Sequence, residues 1–468
     1  RGLGDVYKRQ AIININLEVS VTCDFAIYDL ATKESILNLE CEMRETGIYI
    51  YQLCEDLWPI NRSITGEGVR ETLNIIKRHL PDLIIHEVPT GTTCYDWVIP
   101  KEWNINDAYV IDPNGNKIVD FKDSNLHVVS YSTPVNQTLS LNELQKHLHS
   151  LPEQPDAIPY VTSYYQERWG FCLTDSQRKT LLEGDYQVCI DSELVDGSLT
   201  YGELIIHGKS KKEVFLSTYV CHPSMANNEL SGPTVTTYLA KWIQSQPRKY
   251  TYRIIFIPET IGSICYLSKN LGVMKENIVA GYNISCVGDD DAYSYLPSRA
   301  ENTISDKIAL HVLKHTHPDF VRYSYLDRGS DERQYCSPGV DLPIASVMRT
   351  KYEEYKQYHT SLDDLNYISA EGLNGAYEVL QKCLECIEKN EIYQTTNLCE
   401  PKMDKRNMRP TLRVGVKLDK NFKYIMDILA YADGKNDLLT IAERLNVPMW
   451  RLFNNIEMLL REKLIKKM

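Results

Sequence analysis

Residues 213–232 read EVFLSTYVCHPSMANNELSG, and this stretch decides the fold. The run VFLSTYV (214–220) is apolar or β-branched on both of its alternating faces, so it reads as a strand covered on both sides. A polar loop follows, and then the helix-length segment GPTVTTYLAKWIQSQ (232–246). The same texture recurs in GELIIHG (202–208), YRIIFIP (252–258) and VAGYNISCV (279–287). Short buried strands separated mostly by helix-length segments predict an α/β fold with a mixed, mostly parallel sheet and helices on both faces. His222 then lies just past a strand, at the carboxyl edge where open α/β sheets build their sites.

The other strand ends supply more chemistry. YRIIFIP runs into Glu259, and VAGYNISCV runs into Gly288 followed by Asp289, Asp290 and Asp291. Late in the domain, YHTSLDD (358–364) brings Tyr358, His359 and Asp363. Two imidazoles and several carboxylates on one rim form the donor set of a hydrolytic zinc, with one carboxylate left to take a proton from water. Glu259 is the candidate base, and Tyr358 is a candidate donor to a developing oxyanion. Asp331 and Arg333 in GSDERQYC, Arg349 in MRTKYEEY and Arg299 in YLPSR are polar groups expected near the rim; an arginine there could grip a substrate carboxylate bidentately. Surface ion pairing is the plainer role for each.

Around this centre the chain divides into several units. Ile48, Tyr51, Leu53, Cys54 and Leu57, then Val69, Leu73 and Ile76, recur at helical spacing and predict two helices broken near Pro59 and Gly66. The α/β domain is assigned to 43–95 and 190–395, and a β-rich insertion, dense in aromatic and β-branched residues, to 96–189. Three amphipathic segments from 409 to 468, with Asp437 as an N-cap and LIKKM as a wing, predict a winged helix. The first ten residues, RGLGDVYKRQ, lack an export-type apolar core, and the first methionine is Met43, so residues 1–42 are read as a non-native or disordered leader.

The bulk numbers exclude some classes. With 43% apolar and 24% charged residues, the chain has the composition of a soluble globular protein, and no run is long enough to span a membrane. A net charge of −12 argues against nucleic acid spread over the whole surface. The segment from Arg409 onward is locally basic, with 12 Lys or Arg against 7 Asp or Glu. Its third helix is apolar on several sides, which favours protein contact or self-association over DNA. Thirteen scattered cysteines point to reduced thiols and a cytoplasmic location, with Cys383 and Cys386 structural.

The order of these elements resembles the zinc aminopeptidase family that includes bacterial leucyl aminopeptidases and the related glutaminyl cyclases. The resemblance sets His222 at the first metal-binding His, NNELSG (227–232) at the Asp loop, Glu259 at the catalytic Glu and His359 at the last His. More closely, PINRSITGEGVRETL, EVPTGT, DGSLTYGEL, GSDERQYC and YHTSLDD are similar to uncharacterised aminopeptidase-like proteins of bacterial surface-polysaccharide loci, over nearly everything from Met43 on. Three positions depart from the peptidase pattern. Asn228, flanked by Glu229, stands where the bridging Asp belongs, Thr260 replaces the second Glu, and Ser285 replaces the strand-end Asp.

With carboxylates missing from both metal positions, one zinc is expected, held by His222, Glu229 and His359 with Asp289 as a fourth candidate, and with Asn228 facing substrate. The implied activity is hydrolysis of an amide bond in a peptide or other small molecule. Cyclase-like transamidation would use the same residues. The competing expectation is a catalytically degenerate ligand-binding or scaffolding protein whose output is the winged helix.

Overall fold

The computed structural model describes residues 45–406 and 420–468. The leader assigned to 1–42, and the first residues of the segment beginning at 409, lie outside the described residues.

Residues 46–57 and Glu67–His79 form the two helices expected at the start of the α/β domain. The central sheet has eight strands: β1 (Ile84–Pro89), β2 (Ser198–Ile206), β3 (Glu213–Tyr219), β4 (Thr251–Ile257), β5 (Ile278–Asn283), β6 (Ser294–Leu296), β7 (Val321–Arg322) and β8 (Ile344–Met348). Their spatial order is β1-β2-β4-β3-β5-β8-β6-β7. The inner strands β4, β3, β5 and β8 are mutually parallel, while β1, β2 and β6 pair antiparallel. The expected mixed, mostly parallel core sheet is therefore present.

Alternation along β3 and β4 explains why both faces are apolar. Val214 and Leu216, with Tyr252, Ile254 and Phe256, join one hydrophobic cluster. Phe215 and Tyr219, with Ile255 and Ile257, join the other. The first face is covered by helices Ser231–Gln244, Ile304–Thr316 and Ala370–Lys389 together with Glu67–His79. Helix Ile261–Asn277 covers the second. Buried on both sides, these strands cannot slip register without driving apolar side chains into the wrong layer.

The insertion builds a four-stranded antiparallel sheet, Lys117–Asp120, Glu102–Ile111, Asp185–Val195 and Val135–Ser140, over a core of its own. The C-terminal module has helices Lys420–Tyr431, Leu438–Leu445 and Phe453–Arg461, and Asp437 caps the second by accepting from the Thr440 amide. Its wing strand Ile465–Lys467 pairs with Ile392–Thr395, a strand that the sequence reading places at the end of the α/β domain. That module packs on the first face of the central sheet's helical layer, through Met449, Leu452 and Leu459 among others. Among the described residues no helix is long and apolar enough to cross a membrane.

Candidate active site

β3 lies between β4 and β5, both parallel to it, so the strand order switches sides at its carboxyl end, the position where such sheets leave a crevice. His222 stands three residues past β3 and Glu259 two residues past β4, and both line a cavity of about 240 Å³. His222 Nε2 is 3.6 Å from Glu259 Oε2. The His359 ring lies 5.7 Å from that of His222, centroid to centroid. The sequence-predicted trio is thus gathered in one place.

The imidazoles are held differently. His222 turns Nδ1 toward Glu229, at 3.0 Å, and its backbone amide donates to the same carboxylate oxygen. The other Glu229 oxygen faces Arg62 Nε at 3.1 Å, and both side chains are fully shielded from solvent. Arg62 also donates to the carbonyls of His222 and Leu57. Burial works against a charge on His222, but Cys221 and Glu229 outweigh it and hold the imidazole well above its ordinary range. His359, with φ of 56°, has a buried Nε2 without a hydrogen-bond partner among the described residues. Burial and then His222 push it down to about 3, so it is a neutral imidazole with a free ring nitrogen.

Glu259 is aimed by strain in its neighbour. Thr260 has φ of 62°, a conformation that costs a β-branched residue about 1–3 kcal/mol. Three contacts hold it there: its amide donates to Asp331 Oδ1 (2.8 Å), its hydroxyl accepts from Arg333 Nη2 (2.9 Å), and Ser263 shares the Asp331 oxygen. Asp331 and Arg333 therefore serve the floor of the site. Burial, then Glu259, pushes Asp331 up to about 7. Burial also raises Glu259, against the opposing pull of His222, Ser330 and Arg333. A carboxyl so raised is better matched to taking a proton near neutral pH.

The loop after His222 winds into a wide π-type turn, Ala226–Leu230, a form that often marks functional positions. Asp363 grips it by accepting from the amides of Asn227 (2.6 Å) and Asn228 (3.0 Å). The Asn228 side chain accepts from Tyr219 and is buried, leaving its Nδ2 without a partner.

Several sequence assignments change. Asp289 does not face the imidazoles as a ligand: Oδ1 accepts from Thr350 and the Asp291 amide, and Oδ2 from Asn227 and the Thr350 amide, so it is spent on pinning loops. Arg349 follows β8 at the carboxyl edge, but its guanidinium stacks on Tyr293 at 4.0 Å and reaches toward Asp290. Arg299 pairs with the exposed Asp341. Glu229 remains close to His222 and Cys221, with one donor atom from each of the three within 4.8 Å of the others, but its oxygens face Nδ1 and Arg62 rather than Nε2. Tyr358 stacks on His359 at 3.9 Å, and burial raises its hydroxyl far above the ordinary range.

Two contributors were not visible in the sequence. Arg62 comes from the loop between the first two helices. Tyr160 comes from the insertion: its ring stands edge-on to both imidazoles, at 5.4 Å and 5.1 Å, and its amide donates to the His359 carbonyl. The only sequence signal for Arg62 was a cation in an otherwise uncharged run, PINRSIT.

The two imidazoles offer ring nitrogens of the kind a zinc ion takes. His359 offers a buried ring nitrogen that no group among the described residues satisfies, and the Nε2 of His222 turns away from its carboxylate support. The carboxylate that could serve a second ion, Asp289, has both oxygens taken.

Comparison with known proteins places this geometry in context. Residues 51–390 match the family described as a domain of unknown function (DUF4910), and residues 391–467 match a winged helix-turn-helix family. A Clostridium acetobutylicum protein named for polysaccharide biosynthesis and an aminopeptidase-like domain is 45% identical over 423 residues, covering 90% of this chain and 97% of its own. A crystal structure from the same species, named as a peptidase, is 44% identical with a TM-score of 0.86, over 93% of this chain and 100% of that one. A zinc aminopeptidase from Bacillus subtilis shares the fold at 12% identity and a TM-score of 0.54, over 72% of this chain and 94% of that one.

Proposed function

From the premise that this chain belongs to the DUF4910 family, with a winged helix-turn-helix module attached, we propose that it is an amide hydrolase of aminopeptidase type with a single zinc. The observation that carries the reading is the pair of imidazoles beside Glu259, with a partnerless ring nitrogen on His359. His222, once it has given up its Nε2 proton, and His359 would hold the zinc, which when bound polarises an amide carbonyl and acidifies water.

The remaining roles fall to the chain itself. Glu259, raised by burial, accepts the proton of the attacking water and returns it to the leaving amine. Glu229 fixes the His222 tautomer from the Nδ1 side, the usual position of a carboxylate supporting a metal-bound histidine, and Arg62 fixes Glu229. Thr260, clamped by Asp331 and Arg333, keeps Glu259 aimed. Tyr358 donates to the developing oxyanion, and Tyr160 keeps water from the space between the imidazoles. The relative's name supports a substrate from polysaccharide biosynthesis, a peptide or a sugar-linked amide.

Glu259→Gln tests this directly. It should lower amide hydrolysis by about 10²–10⁴-fold while zinc content is unchanged. Full activity in the zinc-loaded variant would discard the mechanism.

A second reading has support in the winged helix. Met449 is buried, and Trp450 packs edge-on to His311 and His315 of the α/β domain, so part of the surface that would read DNA is turned inward. We propose a role in protein contact or self-association for this module, with or without turnover at the zinc site.

A further inference from the structure

On the far side of the loop that carries Arg62 lies a larger cleft, of about 590 Å³, which the proposed hydrolysis does not use. One wall is the 58–68 loop and the start of helix Glu67–His79. The opposite wall comes from the insertion, from strand Glu102–Ile111 and the turn at 121–126. We propose that this cleft is a second binding site, built for an uncharged saccharide.

Its lining has the chemistry that sugar rings require. Trp58 and Phe121 are half-buried and present flat apolar faces suited to the CH face of a pyranose. Between them stand Asn61, Asn106 and Asp123, whose side chains make no hydrogen bond among the described residues. An amide both donates and accepts and a carboxylate accepts twice, which matches vicinal hydroxyls. The volume is that of a ligand pocket.

Charge selects among ligands. Glu67, itself paired with Arg70 at 2.8 Å, stands with Glu71 and Asp123 against one lining cation, Lys122, which is already paired with Asp107 at 3.1 Å. Phosphates and acidic polymers are repelled from such a wall, whereas a neutral hydroxylated ligand meets no penalty.

The wall is also preformed. A Cβ on Gly68 would stand 1.9 Å from the Asn61 carbonyl oxygen, so only glycine lets the loop fold back tightly enough to present Asn61. The floor connects the cleft to the catalytic side. Ser224 and Ser361 line it, each two residues beyond a site histidine. Ser224 is fastened to both walls: it donates to the Trp58 carbonyl at 2.5 Å, accepts from Asn125 Nδ2 at 2.7 Å, and its amide donates to Asn125 Oδ1. A saccharide held here would rest against the loops that carry His222 and His359. The inference goes beyond hydrolysis and does not depend on it.

The test is titration of the full-length protein with chitotetraose, maltotetraose and cellotetraose, followed by calorimetry and saturation-transfer NMR, with inorganic phosphate and spermine as controls. At least one tetrasaccharide should bind with a Kd in the millimolar range or below, and phosphate should not. The double variant Asn106→Ala/Asp123→Ala should weaken binding by about tenfold or more with an unchanged unfolding midpoint, because neither side chain is hydrogen-bonded among the described residues. His222→Ala should leave sugar binding intact. The proposal is overturned if no tetrasaccharide binds up to about 10 mM, if binding survives in the double variant, or if spermine binds while the sugars do not.

Discussion

Arg62→Met is the perturbation that most sharply tests how the site is supported. The guanidinium donates to the carbonyl of His222 at 2.9 Å and of Leu57 at 2.8 Å, and stands 3.1 Å from Glu229. Both partners are fully shielded, so removing the cation leaves a buried carboxylate with only the two N–H groups of His222. Breaking such a pair costs about 3–5 kcal/mol, much of it the penalty of the charge left behind. Glu229→Gln in turn strands the guanidinium and should cost a similar amount. In Arg62→Met/Glu229→Gln neither charge remains, and the loss should fall short of the summed single losses by at least about 2 kcal/mol. Urea unfolding of the four proteins at one pH gives this coupling directly. Costs that add to within about 0.5 kcal/mol would show that the two residues act independently, and would refute the chain of support from Arg62 through Glu229 to His222.

Other outcomes follow from the same structure. His127 is buried in the insertion, where it donates from Nδ1 to the Cys172 carbonyl. Burial holds its imidazole below the ordinary range, against the smaller raising effects of Cys172, Asp123 and Asp120. The unfolded imidazole takes up its proton near pH 6.5, before the folded one does. Stability contributed by this group is thus fully present above that pH and declines below it, and the gap in urea midpoint between wild type and His127→Gln should narrow from pH 8 to pH 5. His311 accepts from the Met449 amide at 2.9 Å and pairs with Glu443, tying the winged helix to the α/β domain. His311→Ala strands that buried amide and should cost about 1–3 kcal/mol, read as faster proteolysis within residues 391–467.

The sequence carried the parts of this architecture that are local. Two-sided apolar runs marked β3 and β4, and the polar residues that ended them, His222 and Glu259, were identified because strand ends in such sheets converge. Spacing says that an acid stands at a strand end, but it cannot say which of its lone pairs are already taken. Asp289 therefore looked like a ligand, although Asn227, Thr350 and Asp291 satisfy it. Arg349 misled for a related reason, since stacking on Tyr293 depends on a contact across the sheet. Arg62 and Tyr160 reach the site over long separations in the chain, 160 residues in the bond from Arg62 to His222, and no periodicity encodes that. Glu229 was read as a zinc ligand beside His222, whereas its oxygens face the Nδ1 side of that ring and Arg62.

The proposed hydrolysis stands on one zinc, held at His222 and His359. Metal content by mass spectrometry, on wild type and on His222→Ala/His359→Ala purified in parallel, measures it most directly. One zinc per wild-type chain and none in the double variant is the expected result, with circular dichroism unchanged. Two zincs per wild-type chain, none in it, or one retained after both imidazoles are removed would contradict it.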